Sequence, residues 1–141
     1  MEIVDFTEEY VSGVAEIEQA CFSNPWEISA IRGELENNCS FIYVAVEDNK
    51  PVGYVNVYCV LDDIDVVRVA VLPECRRQKI AENILKTAMN RHKGTVYLDV
   101  RESNVPAINL YKSLGFEDTG VRKNYYTNPT ENAVLMKKDN Y

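Results

Sequence analysis

At 141 residues, with 46% hydrophobic and 26% charged residues, the chain has the size and balance of one domain with a continuous core. Its net charge of −7 argues against general nucleic-acid binding and for cationic or amine-bearing partners. No apolar run approaches a membrane span and Met1–Asp5 is not a signal peptide, so a cytoplasmic location without membrane contact is expected.

Glu2–Phe6 is predicted as a short strand. Tyr10–Cys21 follows as an amphipathic helix, with Val11, Val14, Ile17 and Cys21 on one side. Phe22-Ser23-Asn24-Pro25-Trp26 breaks it, because proline disfavours helical geometry at Asn24. Glu27–Asn37 is a second helix carrying Ile28, Ile31 and Leu35. Trp26, the only tryptophan, lies between the helices, where a large aromatic reads as a plug in the core.

Strands come next. Phe41–Val46 and Val52–Leu61 flank the polar turn Glu47-Asp48-Asn49-Lys50-Pro51 and form a hairpin. Asp62-Asp63 leads into a third strand, Ile64–Leu72. The helix Ile80–Arg91 then crosses to the strand Thr95–Val100, and a strand–helix–strand unit of this spacing makes the two strands parallel. Lys93-Gly94 is expected to close the helix. His92, the only histidine, is read as structural, a cation suited to the helix C-terminus. Cys21, Cys39, Cys59 and Cys75 are scattered without a C-x-x-C pair and read as reduced, packed thiols; no metal site is expected.

Thr95–Arg101 alternates. Val96, Leu98 and Val100 share one face, and Tyr97, Asp99 and Arg101 share the other. An acid in the middle of such a strand is unusual. Ser103-Asn104-Val105-Pro106 opens a further helix whose apolar stripe is Ala107, Leu110, Tyr111 and Leu114, ended by Gly115. Phe116–Arg122 and Ala133–Lys137 form a closing strand pair, joined by a loop containing Asn124-Tyr125-Tyr126-Thr127-Asn128-Pro129.

The turn Leu72-Pro73-Glu74-Cys75-Arg76-Arg77-Gln78-Lys79-Ile80-Ala81-Glu82 is the sharpest local signal. It places Arg76, Arg77 and Lys79 at a helix start, where unpaired N–H groups already carry positive partial charge. On an acidic protein, that arrangement points either to an anion such as a phosphate at the helix N-terminus or to a solvated basic turn.

Three stretches together resemble the GNAT superfamily of acetyl-CoA-dependent N-acetyltransferases: Val69–Ala81; Leu98-Asp99-Val100-Arg101-Glu102-Ser103-Asn104 through Gly115-Phe116; and Arg122–Tyr126 with Glu131–Met136. The last two, together with Asn24-Pro25-Trp26 and Glu34–Asn37, are similar to its ribosomal-protein-alanine and protein N-terminal acetyltransferase branch. The resemblance covers essentially the whole chain. It implies a single α/β (α+β) domain over 1–141, with a mixed, mostly antiparallel sheet of roughly six to seven strands and about four flanking helices. The parallel pair would splay open to form the cleft for acetyl-CoA. The same resemblance implies that backbone groups of Val69, Ala70 and Val71 pair with the pantetheine arm. Arg76, Arg77, Gln78, Lys79, Ile80, Ala81 and Glu82 would hold the pyrophosphate, and Asn104 would contact the donor further along.

Two positions depart from the family pattern. Lys79 replaces the motif's central glycine, so its side chain either points outward or crowds the phosphates. Asp99 stands where the closest members carry glutamate as general base. Attack on a thioester needs a neutral amine, and Asp99, its pKa raised by partial burial, would take the proton directly or through water. The competing reading pairs Asp99 with Arg101. Tyr111 matches the family's acid for the leaving thiolate, or is a core tyrosine of its stripe. Tyr125 and Tyr126 match the substrate-loop tyrosines, or pack at the rim. Trp26 and Glu131 complete the expected acceptor site, Glu131 adding negative charge for a basic peptide.

The expected activity is transfer of an acetyl group to the N-terminal amine of a protein, a ribosomal protein starting with alanine. The alternatives are a lysine or small-amine acetyltransferase, or a CoA-binding module without turnover. A monomer or weak dimer is expected.

Overall fold

The period-2 and period-3.6 stretches alternate along the chain, and in the computed structural model, which describes residues 1–76 and 78–141, they build one sheet with helices on both faces. The strands are β1 (Glu2–Asp5), β2 (Ser40–Glu47), β3 (Lys50–Val60), β4 (Asp63–Val71), β5 (Gly94–Arg101), β6 (Glu117–Tyr126) and β7 (Glu131–Asn140). The helices are α1 (Val11–Cys21), α2 (Ile28–Gly33), α3 (Ile80–Arg91) and α4 (Val105–Ser113). Strand order is β1-β2-β3-β4-β5-β7-β6, with every neighbouring pair antiparallel except β4 and β5. The expected parallel crossover is therefore present.

Its ladder is short. Only Asp63–Thr95, Ile64–Val96 and Asp65–Tyr97 pair across β4 and β5, whereas β4 stays registered with β3 as far as Val71. The cause is local. Asn56 faces Arg68 while Val57 faces Val66, so Val67 is an extra residue in β4. A bulge of this kind bends its strand and increases local twist. Beyond it, β4 follows β3 away from β5, and the sheet opens.

The apolar stripes read from the sequence are the packed surfaces. Ile80, Ile84, Leu85 and Ala88 of α3 are buried on one face of the sheet. Val11, Val14 and Ile17 of α1 are buried on the other. Truncating a residue such as Ile84 to alanine would cost about 2–5 kcal/mol through lost transfer energy and the cavity left behind. Along β5, Val96, Leu98 and Val100 are buried while Tyr97 and Asp99 are exposed, as the alternation requires.

Three expectations need correction. The second helix is shorter than Glu27–Asn37: its α-helical part stops at Gly33 and a 3-10 turn occupies Glu34–Glu36, leaving Ile28 and Leu35 exposed. Gly94 does not close α3. It is the first residue of β5, with φ +152, and a Cβ there would lie 2.2 Å from the Asp62 carbonyl oxygen. The carbonyls at the end of α3 are instead satisfied by side chains. Asn140 donates to Met89 and His92, and Lys93 also donates to Met89. Finally, β6 runs through Tyr126, so Tyr125 and Tyr126 sit on the end of a strand rather than in a loop. Gly115, at φ +99, does end α4 as expected.

Candidate active site

A cavity of about 870 Å³ occupies the opening between β4 and β5. Its walls are Val66–Val69 of β4, Leu98–Arg101 of β5, Cys21–Asn24 after α1, Ser103 and Asn104 before α4, Tyr111, the Tyr125–Pro129 turn and Glu131. The predicted residues Asp99, Tyr111, Val69, Asn104, Tyr125, Tyr126 and Glu131 are thus brought together. Ala70, Val71, Trp26 and the described residues of the Arg76–Glu82 run do not line it. Arg77 lies outside the described residues.

Asp99 projects from the solvent-facing side of β5 and is exposed at the cavity, so the expected partial burial is absent. Nor does Arg101 pair with it. The Arg101 guanidinium donates to Glu131 at 3.2 Å and to the carbonyls of Thr127 and Pro129 at 2.9 and 3.1 Å. The two side chains share a strand face but serve different ends. Arg101 ties down the β6–β7 turn, and Asp99 is left facing the cleft. Glu131 is likewise engaged: besides Arg101, it accepts a bond from the Ser103 backbone N–H at 2.5 Å. Hydrogen bonds from Ser103 and Arg101 hold its carboxyl below the usual glutamate value. Its first use is to join the start of α4 to the β6–β7 turn.

Two phenols flank Asp99. Tyr111, on the buried side of α4, packs edge-on against Phe116 at 5.8 Å, and burial pushes its hydroxyl up to about 12. Tyr126 stacks edge-on with Tyr125 at 5.1 Å and lies under the Arg101 guanidinium at 4.5 Å. Its hydroxyl is also pushed up to about 12, first by burial and then by the negative charge of Asp99. Both phenols therefore keep their protons at neutral pH. Asn104 serves as the N-cap of α4, its side-chain oxygen accepting from the Ala107 N–H at 3.3 Å.

The β4–α3 side of the opening is built differently. Leu72 N–H donates to Val52 O at 2.8 Å, so alternate residues Ala70 and Arg68 turn their backbone groups toward β3. Those of Val69 and Val71 turn toward the opening. The Val71 carbonyl is already occupied, accepting from Arg76 Nε at 3.1 Å and from the Cys21 thiol at 3.3 Å. Arg76 thus folds back onto the end of β4 instead of adding its charge to the helix start. At that start Lys79 is left-handed, with φ 61 and ψ 22, and no side chain caps the first turn of α3. This is why the family favours glycine here: the backbone must enter a conformation that is costly for a residue with a Cβ. The Lys79 side chain is exposed, as is Gln78, while the Ile80 side chain is buried and leaves only its backbone to face a ligand. Glu82 pairs along the helix with Lys86 at 3.7 Å.

Trp26 does not line the cavity and lies behind the wall formed by Phe22–Asn24. Its ring packs on the core and under Arg68 at 4.5 Å, while Phe22, Ser23 and Asn24 face the cavity. The plug reading holds for Trp26. Sequence reasoning also missed the pair that holds this wall, Glu18 and Arg68, joined by a contact of 2.8 Å. A signal was present. Glu18 falls four residues after Val14 and three before Cys21, on the apolar stripe of α1, and Arg68 interrupts an otherwise apolar strand.

A sheet parted between two parallel strands, with an open strand edge and, among the described residues, a carboxylate that no arginine or lysine pairs with in a cavity shared with two phenols, is suited to proton-assisted group transfer. The chain belongs to the acetyltransferase (GNAT) family, whose pattern matches residues 11–116; it is an acetyl-CoA-dependent acyltransferase. It is 32% identical over 129 residues to the [ribosomal protein bS18]-alanine N-acetyltransferase of Escherichia coli K12, covering 85% of this chain and 84% of that one. The Haemophilus influenzae protein of the same name is 34% identical over 131 residues, covering 86% of each chain. Among solved structures, the E. coli ribosomal-protein-S18-alanine N-acetyltransferase superposes with a TM-score of 0.88 at 27% identity, covering 96% of this chain and 91% of that one. The fold is shared more widely: the NatC complex bound to Gag peptide and CoA gives a TM-score of 0.78 at 22% identity, covering 99% of each chain.

Proposed function

We propose that this protein transfers the acetyl group of acetyl-CoA to the α-amine of a ribosomal protein beginning with alanine. The observation that carries the reading is Asp99: a carboxylate at the opening of the sheet, not neutralised by the arginine on its own strand face. The names of the relatives supply the acceptor class.

In this reading the edge of β4 at Val69 and the Val71 N–H holds the pantetheine arm, and the first turn of α3 holds the pyrophosphate with its backbone N–H groups. Asp99 takes a proton from the acceptor ammonium, leaving the lone pair that attacks the thioester carbonyl. Aspartate is one methylene shorter than glutamate, so a water relays the proton. Tyr111 gives its proton to the sulfur as the tetrahedral adduct collapses and the carbon–sulfur bond breaks, and the adduct's nitrogen, shedding its second proton to become the amide, returns one to the phenolate through water. A phenol near pKa 12 is a weak acid beside an ordinary thiol, so this transfer is driven by bond cleavage and does not precede it. Tyr125, Tyr126 and the Phe22–Asn24 wall shape the acceptor slot, and the net charge of −7 favours a basic peptide.

The test is direct. Purified protein is incubated with acetyl-CoA and peptides that begin with alanine and continue with basic residues, and the products are weighed by mass spectrometry. Acetylation at the α-amine is expected. CoA binding without acetylation of any amino terminus would overturn the assignment.

A further inference from the structure

Glu18 is fully buried in α1, where an ionised carboxylate is tolerated only if its oxygens are well partnered. Four donors meet it. Arg68 reaches Oε2 through Nε at 3.2 Å and Oε1 through its terminal nitrogen at 2.8 Å. The Trp26 backbone N–H donates at 2.8 Å, and the Tyr54 hydroxyl donates from β3. The two-pronged contact fixes the plane of the guanidinium, which lysine cannot reproduce.

Arg68 then goes further than Glu18. The same terminal nitrogen donates to the Asn24 carbonyl at 3.3 Å. The guanidinium carbon lies 3.8 Å from the centre of the Phe22 ring and 4.5 Å from that of Trp26. One side chain from the bulged strand thus grips both ends and the middle of the segment between α1 and α2. That segment has no regular secondary structure, and proline at position 25 removes one of its own donors. Three of its residues, Phe22, Ser23 and Asn24, form the cavity wall opposite Asp99 and Tyr126.

We propose that Arg68 is a positioning residue for the acceptor: anchored on buried Glu18, it seats the Phe22–Trp26 segment as a rigid wall and so sets how tightly the acceptor's amino terminus is held. This rests on the reading that the cavity takes the acceptor amine. Arg68 touches no reacting atom, so its loss weakens acceptor binding more than turnover and leaves the donor side unchanged.

The experiment compares Arg68→Lys with a double variant, Arg68→Met with Glu18→Gln, which removes both charges and so leaves no unpaired carboxylate in the core. With an alanine-initial basic peptide, the double variant is expected to raise peptide KM about tenfold while kcat changes less than about threefold, as for a wall that must be reordered on each binding event. Acetyl-CoA affinity should hold, and the lysine variant should fall between wild type and the double variant. Trp26, the only tryptophan, gives a readout independent of activity: its emission should shift red and its quenching by acrylamide should increase. A cooperatively folded double variant with wild-type peptide KM overturns the proposal. So does a parallel fall of kcat, CoA affinity and melting temperature, which is the mark of a purely structural pair. If the wild-type protein acetylates no α-amine, the proposed function fails by itself; unchanged Trp26 emission would then overturn the seating role as well.

Discussion

On the β4–α3 side of the opening, the groups left open among the described residues are backbone: the edge of β4 at Val69 and the Val71 N–H, and the first turn of α3, which no side chain caps. On the other side they are side chains: Asp99 of β5, Tyr111 of α4, and Tyr126 of β6 under the Arg101 guanidinium. The difference follows from what each side must recognise. In the proposed function the thioester donor is the same in every turnover, and backbone groups would bind it whatever residues decorate them, Lys79 included. An acceptor must be distinguished and deprotonated, and only side chains supply that chemistry. Substitutions on the side of Asp99 should therefore strike turnover, and those at the α3 start should move donor affinity or stability.

The largest effect is expected at Asp99. Asp99→Asn keeps the shape and removes the base, so kcat should fall about 10²–10⁴-fold while acetyl-CoA affinity measured by calorimetry is unchanged. A matching loss of donor affinity would break the division between the two sides. Tyr111→Phe comes next, with a fall of about 10²-fold. Tyr111 is buried and packs on Phe116 through its ring, so removing the hydroxyl leaves the packing intact, and its melting temperature should match wild type. Full activity in the phenylalanine variant would return Tyr111 to the core.

The two sides also differed in how far they could be read in advance. The strands, α3 and the parallel crossover were legible because their periodicity is a local property. The turn before α3 stood out because cations at a helix start conflict with the helix dipole, yet Arg76 turns back to the Val71 carbonyl and leaves that start. The αL conformation of Lys79 was not, since only the family's glycine hinted at it. Asp99 stood out as an acid in a buried-type strand, yet its exposure depends on where β4 leaves β5, and that depends on a bulge at Val67 with no sequence mark. The partners of Arg101 and Glu131 come from elements about thirty residues apart, 28 and 30 in the contacts of Arg101 with Pro129 and Glu131, a separation that periodicity does not address. Glu18 and Arg68 were each anomalous in their own element, and pairing the two anomalies would have found the acceptor wall.

A sharper test of the backbone side is Lys79→Gly. The left-handed conformation costs a residue with a Cβ about 1 kcal/mol, so glycine should stabilise the protein by up to about that amount in urea unfolding. If the cradle is backbone, acetyl-CoA affinity stays the same or tightens. A clear weakening would show that the lysine ammonium has become a ligand, and the β4–α3 side would no longer be indifferent to its side chains.

The smallest expected effect lies at the far end of the same helix. The His92 ring meets the Tyr43 hydroxyl at 2.6 Å and the Cys59 sulfur at 3.5 Å and stacks on Phe41 at 4.5 Å. Burial, and then the neighbouring Arg91 cation, lowers its pKa below the ordinary 6.5, so the helix ends on a neutral imidazole and not on the cation its position suggested. The sign follows from linkage. Above pH 6.5 the ring is neutral folded or unfolded; as pH falls below that value the unfolded chain takes up a proton that the folded ring resists, and stability is lost until the lowered folded pKa is passed. Urea midpoints should therefore drop between pH 7.5 and pH 5.5 by less than the gain from Lys79→Gly, and His92→Gln should flatten that part of the dependence. Acetyl-CoA affinity at pH 7.5 should be the same with or without the imidazole, because the proposed donor site lies at the opposite end of α3. An unflattened profile in the glutamine variant would show that the imidazole does not set the acid sensitivity over this pH range.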